Sequence, residues 1–357
     1  MVKTEITVGR EELLGRLHEV RPGLSSKEIV EQSNSFVFRG GEVVTFNQEV
    51  MCRAPSGLDP ELTGAVQAKP LVTSLEKMPD DEVKIRVKDG DLVVTGKRRS
   101  FGVHLASEIQ LPTSAVEQPG KKDWRKLPDD FADAVKVVYG CAAKDQSDHS
   151  LTCVHVHPGH MEACDRFQIT RYTLATGVKT SILVGRDAIK FIPEFDFEEV
   201  AETENWIHFR TPHGLVLSCC RYTDAYKPLD EFLARRKGTR VKFPKGLADA
   251  LDRALVFSGE NKDDDSVLFE LEPGKMRLRG EGSSGWSKEF SSVTYAGPDL
   301  RFVVSPKLMV ELLQRHNDCL ITPDRRLWVD GGKFVYVACL EEPKEASDGE
   351  GEEAAAD

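Results

Sequence analysis

Apolar residues recur along the chain with two periodicities, that of amphipathic helices and the two-residue periodicity of strands. From residue 64 the stretch GAVQAKPLVTSLEKMPDDEVKIRVKDGDLVVTG predicts a short strand and then a helix whose apolar face holds Leu71, Val72 and Leu75. Two strands with alternating apolar residues come next, and the Asp-Gly-Asp turn at 89–91 separates them. Together these elements form one recognisable unit.

The same order of elements returns twice, each time about 118 residues further along the chain. The second copy begins near residue 181 with SILVGRDAIKF, and the third begins near residue 300 with LRFVVSPKLMVELL. The apolar helix positions are occupied by Ala188, Ile189 and Ile192 in the second copy and by Leu308, Met309 and Leu312 in the third.

A second kind of unit precedes each of these copies with the same period. The stretches ITVGREELLGRLHEV, RKLPDDFADAVKVV and VKFPKGLADALDRALVFS each predict a short strand and an amphipathic helix that starts at a capping residue or a proline. Hairpin-like strands such as SFVFRGGEVVTF follow each helix. The sequence therefore predicts an α+β fold of six helix-plus-strands units, paired into three tandem domains of one fold at 1–122, 123–240 and 241–342.

Composition narrows the class of protein. The chain has 357 residues, of which 40% are hydrophobic and 30% charged, as in globular proteins that fill real cores. Its first residues lack the apolar segment of a signal peptide, and no stretch approaches the roughly 18 apolar residues of a membrane helix. We expect a cytoplasmic protein whose eight cysteines are reduced, buried and without disulfides.

The formal net charge of -11 argues at first against a nucleic-acid partner. The segment 341–357, however, holds eight acidic groups against one lysine and has almost nothing apolar. Its composition predicts a disordered acidic tail, which we place at 343–357. Without that segment the charge is about -4, so nucleic acid is not excluded as a partner.

The repeat and several local segments resemble the bacterial beta sliding clamp, the processivity subunit of DNA polymerase III. In the last domain LADALDRALVFSGE, WSKEFSSVTYAGPDLRFVVSPKLMVELL and FVYVACL follow the order of helix, acidic strand, turn, helix and final strand in that family. The middle domain matches the family through MEACDRFQITRY, and the first domain matches more loosely through VVTFNQEV. The resemblance implies three clamp domains per chain, a binding protein without enzymatic activity or cofactor, and a ring closed by a homodimer.

A clamp holds duplex DNA without regard to sequence, and helices carrying basic residues can do this through screened contacts with phosphates. The predicted helices and the loop after the first helix supply the DNA-binding candidates, which are Arg10, Arg16, Lys27, Lys69, Lys77, Lys136, Lys144, Arg186, Lys190, Lys245, Arg253, Lys307 and Arg315. An ordinary solvated helix face is the alternative interpretation of these charges.

The resemblance also implies two protein-binding surfaces. Contact between the first domain of one copy and the third domain of the other would use Phe101, Val103, Val256 and Phe257, although all four can equally be core residues. The polymerase and the clamp loader would insert short apolar peptides into a groove. The positions that correspond to this groove are Cys164, Arg166, Phe167, Ile169, Pro228, Leu233, Ser305, Leu308, Val337, Cys339 and Leu340.

Two departures from the family alter the expected groove. The Gly-His-Arg segment of the family is replaced by Arg166-Phe167-Gln168, and its closing basic residue is replaced by the acidic pair Glu341-Glu342. Both changes place side chains of different charge or size at the rim of the groove. We therefore expect a divergent clamp that selects its own partner peptides.

The stretch HVHPGH at 155–160 favours a second class of function. In a strand His155 and His157 point to the same face, and His160 follows the turn, so the three could hold zinc in a zinc-dependent hydrolase. Valines alternate with these histidines and Pro-Gly is a common turn pair, which favours a plain hairpin and no metal. A peptide-binding scaffold that has kept the fold and lost the ring is a third hypothesis.

Overall fold

The computed structural model describes residues 5–144, 148–234, 236–258, 267–304, 310, 313 and 316–343. The chain divides into two units, one of Met1–Ala163 with Tyr172–Lys227 and the other of Cys164–Arg171 with Pro228–Asp357. We call them unit 1 and unit 2. The division of the chain into three domains stays a prediction, and the expected acidic tail lies outside the described residues except for Pro343.

Six α-helices and five 3-10 segments have both ends within the described part of the chain, and residues 310 and 313 are helical as well. The α-helices are α1 (Arg10–Glu19), α2 (Ala68–Glu76), α3 (Phe131–Val138), α4 (Arg186–Ile189), α5 (Asp230–Leu233) and α6 (Leu247–Ser258). The 3-10 segments are Arg21–Gly23, Thr113–Ala115, Tyr139–Cys141, His149–Thr152 and Ile192–Glu194. No helix among these is long and apolar enough to cross a bilayer.

Strands make up most of the rest. Those up to residue 126 are β1 (Ile6–Gly9), β2 (Ser35–Arg39), β3 (Glu42–Phe46), β4 (Val50–Pro55), β5 (Gly64–Gln67), β6 (Glu82–Lys88), β7 (Asp91–Thr95), β8 (Ser100–Ala106) and β9 (Arg125–Lys126). Those between 153 and 222 are β10 (Cys153–His157), β11 (His160–Cys164), β12 (Gln168–Thr173), β13 (Ile182–Gly185), β14 (Glu199–Glu202), β15 (Trp206–Arg210) and β16 (Val216–Tyr222).

The remaining strands belong to unit 2. They are β17 (Thr239–Lys242), β18 (Val267–Glu272), β19 (Lys275–Gly282), β20 (Gly285–Ser292), β21 (Thr294–Tyr295), β22 (Leu300–Val304), β23 (Asp318–Ile321), β24 (Arg326–Asp330) and β25 (Phe334–Cys339). The chain is therefore α+β, as the sequence predicts.

Antiparallel pairing runs through unit 1 without a break. It passes from β1 through β6, β7, β8, β5, β2, β3 and β4 to β16, and from there to β13, β10 and β11 on one path and to β15, β14 and β9 on another. The pairing of β4 with β16 joins the first repeat to the second, with Val50 opposite Cys219 and Arg53 opposite Val216.

Two helices of unit 1 cover this sheet with apolar residues at helical spacing. Helix α1 buries Leu13, Leu14 and Leu17, and α2 buries Leu71 and Leu75. Burying each leucine side chain contributes about 1.5–3 kcal/mol. Val72, the third residue of the predicted apolar face of α2, is only half-buried.

In unit 2, helix α6 packs on a four-stranded sheet in the order β20-β19-β18-β22. The helix buries Leu247, Leu251 and Ala254 against it. Gly280 of β19 allows the close approach, because a Cβ atom there would lie 2.3 Å from the carbonyl oxygen of Ala254. No side chain larger than hydrogen fits at that position without moving the helix.

Among the predicted elements that fall within the described residues, the turn at 89–91 matches and the helix at 186–192 is shorter than expected. The turn at 89–91 is present, with Asp89 and Gly90 both at positive φ as a two-residue hairpin requires. Helix α4 ends at Ile189, and Ile192 is buried from the following 3-10 segment instead, because Pro193 lacks the N–H that a longer helix would use. The helix expected near residue 308 falls largely outside the described residues.

One buried histidine in unit 1 makes the stability of the fold depend on pH. His208 is fully buried in β15, where Nδ1 lies 2.8 Å from Ser218 Oγ and Nε2 lies 3.0 Å from Thr203 Oγ1. Burial lowers the pKa of His208 to about 4. The unfolded chain therefore binds one more proton than the folded chain between that value and the usual pKa near 6.5, and stability falls as the pH falls through this window.

We expect acidification from pH 7.5 to pH 5 to lower the free energy of unfolding by about 2 kcal/mol through His208 alone. Urea unfolding of the wild-type chain and of His208→Gln at both pH values measures this, because the variant lacks the titrating group. Between pH 7.5 and pH 5, the free energy of unfolding should fall by about 2 kcal/mol less in the variant than in the wild-type chain. Equal slopes for the two proteins would show that His208 does not have the lowered pKa.

Candidate functional site

Five of the predicted DNA-binding lysines are exposed and make no ion pair within the described ranges, namely Lys27, Lys69, Lys77, Lys144 and Lys245. Only Lys69 is inside a helix. Lys77 follows the end of α2, Lys144 lies in the loop beyond α3, and Lys245 precedes α6. The sequence interpretation of these three as helix residues is wrong by a few positions. The ammonium groups remain open to solvent and to a ligand.

Four more candidates hold acidic partners at the surface. Arg16 pairs with Glu12 at 2.6 Å, Lys136 with Asp133 at 3.4 Å and Lys190 with Asp187 at 2.8 Å. Arg253 holds Glu289 with both ends of its guanidinium, at 2.7 and 2.8 Å, and these hydrogen bonds lower the pKa of the carboxylate. Ion pairs this exposed contribute little to stability, so a phosphate can compete for the cations.

Arg10 and Arg186 are engaged with main-chain carbonyl groups. Arg10 donates from Nε to Asp80 O at 3.0 Å and from Nη1 to Leu75 O at 3.4 Å, and it also pairs with Glu11. Its side chain is 15% exposed. Arg186 donates from Nε to Tyr139 O at 3.1 Å and lies over the Tyr139 ring. These contacts favour a structural role for both arginines.

Arg10 ties the end of α2 to the start of α1, because Leu75 offers one of the last carbonyl groups of that helix. Lys307 and Arg315, the remaining two candidates, lie outside the described residues.

An apolar patch is exposed on unit 2, formed by Phe167, Phe232 and Cys339. The backbone N–H of Cys339 donates to Phe167 O at 2.8 Å, so the two residues are directly linked. Arg326 pairs with Cys339 across the β24–β25 ladder and places its guanidinium over the Phe232 ring at 5.5 Å. Phe167 is 56% and Phe232 44% exposed, large values for phenylalanine.

The polar surroundings of the patch hold its shape. Asp165 accepts hydrogen bonds from the backbone of Phe167 at 2.7 Å and of Gln168 at 2.8 Å, which fixes the turn that presents the phenyl ring. Asp324 pairs with Arg326 at 3.2 Å and with Arg236 at 3.3 Å. The patch is therefore an apolar surface on a hydrogen-bonded turn, with charged residues beside it.

The predicted groove residues divide by burial. Cys164, Leu233, Val337 and Leu340 are buried, Ile169 is half-buried, and Arg166, Phe167, Pro228 and Cys339 are exposed. Ser305 and Leu308 lie outside the described residues. The buried members support the surface from below, whereas the exposed ones form it together with Phe232, which sequence reasoning missed.

The predicted dimer contacts lie at two strand edges. Within the described residues, β20 pairs only with β19, and Ser100–Val103 of β8 pair only with β7. Beside β20, Val256 of α6 is 67% exposed and Phe257 is half-buried next to Gly285. On β8, Phe101 is half-buried, but Val103 is a buried core residue of its own sheet.

The histidine stretch is the hairpin that the alternation predicts, with β10 and β11 joined at Pro158-Gly159. His155 and His160 lie close together beside Glu162, a carboxylate that sequence reasoning did not consider. His157 differs from the predicted ligand set, because its Nδ1 accepts a hydrogen bond from Gly159 N at 3.1 Å.

Comparison with solved structures relates this architecture to one group of proteins. The chain aligns with the DNA polymerase III beta subunit of Thermotoga maritima at a TM-score of 0.76 and 17% identity, covering 95% of this chain and all of that one. The sliding clamp of Bacillus subtilis aligns with a TM-score of 0.76 and 13% identity over 96% of this chain. The Pseudomonas aeruginosa clamp bound to griselimycin gives 0.75 and 18% over 96%. Both of those clamps are covered completely.

The chain has the sliding-clamp fold. The resemblance noted in the sequence is confirmed for the fold over nearly the whole chain. No protein-family model matches the chain, and no curated protein matches it either. The structures named above share the clamp fold with the chain at identities of only 13–18%.

Two exposed apolar side chains on the clamp fold have no counterpart among the predicted site residues. Trp286 and Phe290 of β20 are 63% and 66% exposed. Their spacing of four residues in a strand places both on one face, and Arg277 lies 5.0 Å from the Phe290 ring. An alternating pattern with aromatic residues on the outer positions was the available sequence signal.

We expect Arg10→Ala to lower the free energy of unfolding by about 1–3 kcal/mol, because the carbonyl groups of Asp80 and Leu75 lose a partly buried donor. Lys69→Ala, an exposed position in α2, should change it by less than about 0.5 kcal/mol. Urea denaturation monitored by circular dichroism measures both. Equal effects would show that Arg10 is a surface residue available for DNA.

Proposed function

We propose that this chain is a DNA sliding clamp, a processivity factor that encircles duplex DNA as a homodimeric ring and tethers the replicative polymerase. The observation that carries the proposal is the match of the clamp fold along nearly the whole chain. Such a protein works by binding alone and needs no enzymatic activity and no cofactor. Its place of action is the DNA of the cytoplasm.

The charges of the described residues support weak, mobile contact with DNA. Lys27, Lys69 and Lys77 are exposed in the first proposed domain without ion pairs among the residues described, and Lys245 is exposed in the third. Phosphate contacts of this kind carry no sequence information and weaken steeply with salt. A protein held on DNA only by these lysines would dissociate, so lasting attachment requires a closed ring.

The strand edges support closure by a second copy. An unpaired edge presents a row of N–H and C=O groups that pair readily with another strand. We infer that β20 of one copy meets β8 of the other, with Val256, Phe257 and Phe101 packed beside the joint. Two such contacts related by a two-fold axis close a ring without leaving either edge open.

The apolar patch of unit 2 supports peptide binding. Phe167 and Phe232 offer two ring faces, and the Arg326–Asp324 pair offers polar groups beside them. A short peptide with apolar anchors gains most of its affinity from a few such contacts. We propose that the polymerase and the clamp loader reach the clamp through peptides of this kind.

A retention assay on blocked DNA tests the proposed function. A ring can thread over the free end of linear duplex DNA without a loader. Streptavidin bound to a biotin at that end then blocks the exit. The protein should stay on the capped DNA at a salt concentration that dissociates ordinary phosphate contacts. Cutting the capped duplex should then release it.

Two variants in the same assay distinguish the loss of ring closure from the loss of folding. Val256→Asp should abolish retention by opening the ring, because Val256 is 67% exposed and the charge harms only a contact with a partner. Val87→Asp, at an exposed apolar position of β6, should behave as wild type. A wild-type protein that leaves capped and uncapped DNA equally fast would contradict the clamp and favour the peptide-binding scaffold.

We expect Phe167→Ala to weaken binding of short apolar peptides by at least tenfold, about 1.4 kcal/mol. Peptides selected on the wild-type chain from a random display library serve as the probes, and fluorescence anisotropy measures affinity. Phe290→Ala is the matched control, because it removes another exposed phenyl ring, one that does not belong to the patch. If both variants bind the selected peptides as wild type does, the patch is not the binding surface.

A further inference from the structure

The β10–β11 hairpin gathers three histidines and a glutamate on one face. His155 lies opposite Glu162 in the ladder, and His157 lies opposite His160. Residues opposite each other in an antiparallel pair project to the same side, as do residues two apart in one strand. All four side chains therefore share one surface of the hairpin, although they are spread over eight positions of the sequence.

The distances within this group are those of a small site. His155 Nδ1 lies 2.8 Å from Glu162 Oε1, and His160 Nε2 lies 3.5 Å from the same oxygen. One ligand atom from each of these three residues falls within 4.8 Å of the others. Ligands of a tetrahedral zinc ion, at about 2.0–2.2 Å from the metal, lie about 3.3–3.5 Å apart, so small side-chain rotations suffice.

Burial makes the group unusual for a surface hairpin. The Glu162 side chain is 3% exposed, and the imidazoles of His155 and His160 are largely covered. Tyr226 stacks on His155 with ring centroids 4.7 Å apart, and His157 stacks on His160 at 4.3 Å. Positive charge stabilises a carboxylate that is this deeply buried, and a cation bound by Glu162 and the two neighbouring imidazoles would supply such charge.

We propose that His155, His160 and Glu162 bind a divalent transition-metal ion of the zinc type. Two imidazole nitrogens and one carboxylate oxygen suit zinc, cobalt or nickel, whereas magnesium and calcium prefer oxygen ligands alone. The stacked rings of Tyr226 and His157 hold the two ligating imidazoles in place. The ion ties the two strands of the hairpin together, and the proposal is independent of DNA binding.

Metal titration of the whole chain tests the site. After dialysis against a chelator, calorimetry with zinc chloride should show one ion per chain. Cobalt(II) should give the strong visible absorption of a four-coordinate ion, and zinc should remove it. His160→Ala should weaken zinc binding at least tenfold and abolish the cobalt spectrum.

Two further variants make the result decisive. Glu162→Gln keeps the shape of the side chain and removes the charged ligand, so it should also lower the affinity for zinc at least tenfold. His104→Ala is the control, because His104 is an exposed histidine 3.7 Å from Asp91 and represents adventitious surface binding. It should leave both the stoichiometry and the cobalt spectrum unchanged.

Circular dichroism confirms that each variant is folded. Absence of a one-to-one zinc complex in the wild-type chain would overturn the proposal. So would zinc binding that survives both His160→Ala and Glu162→Gln, or that is lost in His104→Ala. In those cases the His155–Glu162 hydrogen bond is a structural contact of the hairpin, and the group is not a metal site.

Discussion

Hydrogen bonding between strand edges is the constraint on which this structure depends. Every strand at the end of a sheet leaves main-chain donors and acceptors open, and a protein of stacked repeats creates such an edge at every repeat boundary. Inside unit 1 the edge of the first repeat is closed by the second, through the pairing of β4 with β16. The proposed dimer would extend this solution, because a second copy would pair with the edges at Ser100–Val103 of β8 and at β20.

Electrostatics determines which basic side chains of the chain are available to bind DNA. A chain with a net charge of -11 repels DNA at long range, yet several lysines remain without acidic partners in the described residues. The arginines are mostly committed, Arg10 and Arg186 to carbonyl groups and Arg253 to Glu289. Arg10 and Arg186 therefore stabilise the protein itself, whereas the lysines without acidic partners in the described residues are open to phosphates.

The sequence predicted the architecture well because the signals for it are repeated and additive. Six copies of one helix-plus-strands pattern locate most helices, even though α4 is shorter than expected because of Pro193. Side-chain roles were harder to predict. Nothing in the letters around Arg10 shows that two carbonyl groups 65 and 70 residues away occupy its guanidinium. Val103 likewise fits an exposed edge and a core equally well, and only packing decides that it is buried.

Register explains the remaining difference between sequence and structure. The spacing in HVHPGH suggested His155, His157 and His160 as one set, because a motif is read along a single strand. In the hairpin the neighbours of His155 are set across the ladder, and the residue opposite it is Glu162. The two-residue turn at Pro158-Gly159 fixes that pairing, since a shift by one position would turn every side chain to the other face. The turn therefore brings His155, His160 and Glu162 together. The spacing of residues along one strand does not reveal the buried carboxylate of this group.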